Sequence, residues 1–91
     1  MKIMLNFYKS ISEYKSNSPR HYWQDIDLDV LPEIGKKFEY QDWMFSRLEE
    51  EEQKEFLNDY SFSVGSYYVQ DIMNYDRAIN LIDYSVFLIE N

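Results

Sequence analysis

Between Tyr68 and Ile89, seven apolar residues (Tyr68, Ile72, Tyr75, Ile79, Ile82, Val86 and Ile89) recur at alternating spacings of four and three. A stripe of that period predicts an amphipathic helix whose one face stays buried for about 30 Å. Ser66 stands where its N-cap would be. The last part of the stripe supports a second expectation. Tyr84 to Ile89 is aromatic, branched and uncharged before Glu90, and it reads also as a closing strand.

Met4, Phe7, Ile11 and Tyr14 repeat the helical spacing near the N-terminus and predict a first helix over about residues 3–15. Ser16-Asn17-Ser18-Pro19 would end it, because Ser and Asn compete for backbone hydrogen bonds and Pro disfavours helix in the residue before it. A strand over Lys2 to Tyr8 is the alternative. Further on, Ser46-Arg47-Leu48-Glu49 has the spacing of a capping box. Glu49 to Glu52 would follow in the first turns, where the helix dipole favours anions. Phe56, Leu57 and Tyr60 supply the apolar contacts of that helix, which should end near Asp59, and Tyr60, Phe62 and Val64 then alternate like a short strand.

Between these segments Asp25-Ile26-Asp27-Leu28-Asp29-Val30 alternates strictly. If extended, it carries carboxylates on one face and branched aliphatics on the other. Pro32 and Gly35 bracket a turn or a short helical piece. The expectation is one mainly α domain over residues 1–91, of about three to four helices with a short extended element near 25–30. The alternative is an α+β domain in which the N-terminal run, the Asp row and the C-terminal tail pair as a small sheet.

The composition narrows function by what it lacks. One His and no Cys leave few nucleophiles and few metal ligands. His21 has no identifiable nucleophile or orienting acid at a meaningful spacing. Asp25, Asp27 and Asp29 begin like a calcium loop, but Val30 stands where the loop needs Gly and Lys36 where it needs a bidentate Glu. Gly35 precedes Lys36-Lys37 without the rest of a phosphate loop. A glycosidase-type carboxylate pair needs a sugar-holding cleft that an 11.2 kDa chain has little structure to build. The expectation is therefore no enzyme, no catalytic residues, no metal and no cofactor.

What the chain has in excess is acid and aromatic surface: 17 Asp+Glu against 9 Lys+Arg, with nine Tyr, six Phe and two Trp. Lys2, Lys9, Lys15 and Arg20 outweigh Glu13 in the first twenty residues, so all the acidic excess belongs to residues 21–91. Such a chain suits docking onto a basic protein, because aromatic residues are enriched at interfaces and complementary charge speeds encounter. The candidate partner-binding residues are Tyr22, Trp23, Asp25, Asp27 and Asp29, followed by Glu50, Glu51 and Asp59. Trp23 reads either as an interface anchor or as core; Trp43, beside Met44 and Phe45, reads as core. A folded surface of roughly 5,700 Å² would give an ordinary interface about a seventh of its area. The run from Ile3 to Tyr8, broken by Asn6 and followed by Lys9, is too short for a signal-peptide core or a membrane span. A cytoplasmic protein is expected, with no membrane and no direct nucleic-acid binding, and a monomer is favoured.

In size, acidity, aromatic content and lack of catalytic equipment the whole chain resembles the small acidic immunity proteins that bacteria make alongside secreted nuclease toxins, such as those of colicins and contact-dependent growth inhibition systems. The resemblance implies a protein that binds one cognate basic nuclease domain and blocks its active site or an adjacent surface. Two other readings are kept. One is a phage-type nucleic-acid mimic that inhibits a defence nuclease. The other is a structural subunit that self-associates through the stripe at 68–89.

Overall fold

A computed structural model describes residues 1–16, 21–74 and 81–91. It is built on strands: β1 (Lys2–Tyr8), β2 (Tyr22–Asp27), β3 (Lys37–Tyr40), β4 (Gly65–Asn74) and β5 (Tyr84–Glu90) form one mixed sheet in the order β2-β1-β5-β4-β3. β1 and β5 are the parallel pair at its centre, and the other neighbours run antiparallel. Among the described residues, helix is confined to α1 (Ile11–Lys15), α2 (Asp42–Phe45), α3 (Glu50–Lys54) and a π-helical segment, Glu55–Asp59, that continues α3.

The mainly α expectation is therefore corrected to a mainly β fold. The reason lies in which strands are central. β1 is buried almost throughout, on both faces, and so is most of β5. A strand covered on both sides carries an apolar run instead of an alternation, and such a run can be matched by a helical template. In β4 the register slips between Val69 and Asp71. That bulge puts Tyr67, Val69 and Ile72 toward the core at spacings of two and three, which destroys the period of two that would have marked a strand. The predicted helix over residues 68–89 is thus β4 and β5, and Tyr75 and Ile79 of its stripe lie outside the described residues. The first helix shrinks to α1, capped by Ser10, whose side chain accepts from the Glu13 N–H, and residues 2–8 are a strand. The capping box exists three residues later than expected, between Glu49 and Glu52.

One face of the sheet is roofed by the segment that links β3 to β4. Met44, Leu48, Phe56 and Phe62 from this segment close over Ile3, Leu5, Phe7, Tyr22, Ile26, Phe38, Tyr40, Tyr67, Val69, Val86 and Leu88. Phe7 is the hub: its ring meets Tyr40, Tyr67 and Phe56 edge-on at centroid distances of 5.0, 5.2 and 5.3 Å, with Phe62 at 5.7 Å. Gln24, the buried polar residue of β2, is satisfied from both sides: the Tyr40 hydroxyl donates to its Oε1, and its Nε2 donates to the Met44 carbonyl at 2.8 Å. Lys9 clips the roof to the sheet through Glu90 at 3.0 Å, the Ser61 carbonyl, and the face of Phe62 at 4.6 Å.

Phe7→Ala removes the ring that five aromatic neighbours share, at a site with no exposure. The expected loss is about 3–5 kcal/mol of unfolding free energy, read from the urea midpoint of equilibrium denaturation. A loss below about 1 kcal/mol would mean that the aromatic box is not the core.

Candidate functional site

The residues singled out from the sequence divide between three places. Tyr22, Gln24 and Ile26 point from β2 into the core, whereas Trp23, Asp25 and Asp27 point to the opposite face. Tyr22, grouped with them from the sequence, does not share their exposed face: it is 6 % exposed and packs on Phe7, Phe56 and Tyr60, behind Trp23. Burial, with Glu52 and Glu55 adding to it, pushes its phenol up to about 12. Asp29 lies beyond the end of the strand in a bend, exposed beside Val30, so only two carboxylates of the row share the strand face. Glu50, Glu51 and Asp59 are exposed on the roof, on the other side of the sheet. Trp43, expected in the core, is 40 % exposed with its indole N–H on Gln41 Oε1 at 3.0 Å; Met44 takes the buried position.

The site the structure assembles is the β2 side of the sheet. Trp23, 55 % exposed, stands across from Asn6 of β1; Asp25 stands across from Met4 and Asp27 across from Lys2. Farther along the same face α1 covers the sheet, with Tyr14 against Tyr8 and Phe87 at 5.4 and 5.5 Å and its hydroxyl donating to Asp71 at 3.1 Å. His21 stacks on Tyr8 at 4.9 Å, which gives the imidazole a packing role. Around the other side of β2, Glu52 and Glu55 meet His21, Tyr22, Trp23 and Tyr60 in a shallow cleft of about 190 Å³. A second cleft, of about 220 Å³, is lined by Lys2, Asp25, Ile26, Asp27, Leu81 and Ile82.

Glu52 and Glu55 were missed. Both are exposed, as Glu50 and Glu51 are, and what sets them apart is the fold, which lays them beside His21, Tyr22 and Trp23 of the β2 edge.

Asp25 is charged at a cost. Although the residue is exposed, the surrounding protein removes enough water from its carboxyl to raise its pKa, an effect that Lys2 partly opposes. No cluster of three metal-ligating side chains and no helix long and apolar enough to cross a membrane occurs among the described residues. The chain matches no family model, and neither the curated proteins nor the solved structures contain a significant match to it.

The sign of the Asp25 shift gives a stability prediction. A carboxyl whose pKa is raised by folding binds protons more readily when folded, so it destabilises the fold above the raised pKa and ceases to do so below the ordinary carboxylate value. Asp25→Asn should therefore raise the melting temperature at pH 7. The gain over the native chain should shrink toward zero as the pH falls through the acid range, as followed by thermal denaturation at a series of pH values. A gain that grows on acidification would reverse the assignment.

Proposed function

We propose that this protein binds a basic protein partner through the outer side of β2 and thereby neutralises it, in the manner of the bacterial immunity proteins that it resembles in general build. The observation that carries this reading is the placement of Trp23, Asp25 and Asp27 together on one exposed strand face, with Glu52 and Glu55 across the same edge. Trp is the side chain that most often dominates binding energy when a partner buries it. The carboxylates around it select a partner of opposite sign and speed its encounter. A partner Lys or Arg beside Asp25 would also relieve the cost at which that residue is charged. The site is acidic and the rest of the fold supplies a rigid backing, which suits a protein whose work is docking in the cytoplasm.

The nucleic-acid mimic draws less support, because the strand ends at Asp27 and only two carboxylates hold the spacing of about 6.6 Å along an extended chain. The structural-subunit reading draws less support, since Tyr68 and Ile72 of its stripe lie in β4 and Val86 and Ile89 in β5, on no common helix face.

The test is capture of the partner from the native host with the tagged protein, followed by assay of the partner's nuclease activity with and without it. Asp25→Lys combined with Asp27→Lys should weaken binding by about 2 kcal/mol or more, and Trp23→Ala by a similar amount. Glu50→Lys combined with Glu51→Lys, on the roof, should change it by less than about 1 kcal/mol. Equal effects of the two charge reversals would show that only net charge matters, and a partner that remains fully active when bound would remove the neutralising role.

A further inference from the structure

The backbone of β2 carries more information than its side chains. Met1 and Leu28 exchange both backbone hydrogen bonds, each at 3.0 Å. In an antiparallel ladder such pairs alternate with non-bonded ones. From the register, Ile3 with Ile26, Leu5 with Gln24 and Phe7 with Tyr22 are the bonded pairs. Lys2 confirms the phase, since its N–H and C=O both turn away from β2, to the Asp83 carboxylate at 2.9 Å and the Asp83 N–H at 2.8 Å. Trp23, Asp25 and Asp27 therefore direct their backbone N–H and C=O groups outward. β2 is an edge of the sheet, and no described strand lies beyond it.

An edge of this kind is a template for one more strand. A second copy of this chain is a poor occupant, because pairing β2 with itself would bring aspartates against aspartates, and like charges across strands repel. A strand bearing Lys or Arg at alternate positions meets the same aspartates with opposite sign. The other edge, β3, is four residues long with Lys37 and Glu39 on its outer face, so it has no such preference.

We propose that the partner contributes an extended basic segment that adds to β2 as a sixth strand, hydrogen-bonded to the backbone of Trp23, Asp25 and Asp27, with Lys or Arg opposite Asp25 and Asp27. This deepens the function proposed above and rests on it. The partner's main chain supplies the hydrogen bonds, its alternate side chains meet the two carboxylates, and Trp23 covers the strand's end. A recognition element of this form reads charge pattern and extended shape together, which distinguishes a basic strand from a basic helix of equal charge.

The test uses the isotopically labelled full chain and two capped nine-residue peptides at low salt: one alternating Lys with Val, the other identical except for Pro at two of the Val positions. Amide exchange is followed by NMR. The alternating peptide should slow exchange of the Trp23, Asp25 and Asp27 amides at least tenfold, leave Gln24 and Ile26 unchanged, and bind at least tenfold more tightly than the Pro peptide. Asp25→Pro, which removes an outward N–H and leaves the β1 ladder whole, should cost at least tenfold in affinity beyond Asp25→Asn. If both peptides bind equally and those amides stay unprotected, strand addition is overturned while charge-based docking stands. If neither peptide binds, the docking surface itself fails. Should Asp25→Pro not fold, the exchange measurement on the native chain decides alone.

Discussion

The packing of aromatic rings around Phe7 is the constraint on which the rest of the molecule depends. Phe7 sits on a central strand, and its neighbours come from β2, β3, β4 and the roof: Tyr22, Tyr40, Tyr67, Phe56 and Phe62. Edge-to-face contacts of this sort add specific geometry to the area that large rings bury. A sheet of five strands with a thin roof has little other interior. Because β1, β2, β3, β4 and the roof each send a ring to this box, the sheet, the roof and the orientation of β2 are set together.

How legible the fold was in the sequence follows from each strand's place in the sheet. The edge strands β2 and β3 alternate cleanly between buried and exposed, and the Asp25–Val30 alternation predicts an extended element there, of which Asp25–Asp27 belong to β2 and residues 28–30 lie beyond it. The central strands carry apolar residues on both faces and so lose the signal. β1 could be read as helix because Met4, Phe7 and Ile11 fit a helical spacing, although Met4 and Phe7 lie on opposite faces of the sheet and Ile11 begins α1. β4 was lost for another reason, since its bulge shifts the phase midway. No local propensity reports a bulge whose purpose is to keep three side chains over one core.

The candidate site was partly legible for the same reason. An edge strand's alternation fixes which residues face out once one of them is known to face in, so Trp23, Asp25 and Asp27 could be grouped. The same logic should have excluded Tyr22, which is out of phase with them and in phase with the buried Ile26. Glu50 and Glu51 stand out in the sequence by charge density alone. They are exposed on α3, none of whose residues is buried, and they lie on the roof, away from the outward face of β2.

The two sides of β2 make the proposed recognition and the fold one problem. Tyr22, Gln24 and Ile26 hold the strand from within, and Gln24 locks it to Tyr40 and to the roof at Met44. A strand fixed this way loses little freedom when another pairs with it, so less of the interaction is spent on ordering it. The aspartates on the outer side serve two ends at once: they keep the edge from pairing with like edges, and they leave it open to a strand of opposite charge. In the proposed recognition, an exposed edge that would be a hazard in a neutral sequence becomes selective through charge, and the raised pKa of Asp25 is the local cost of holding that charge in place.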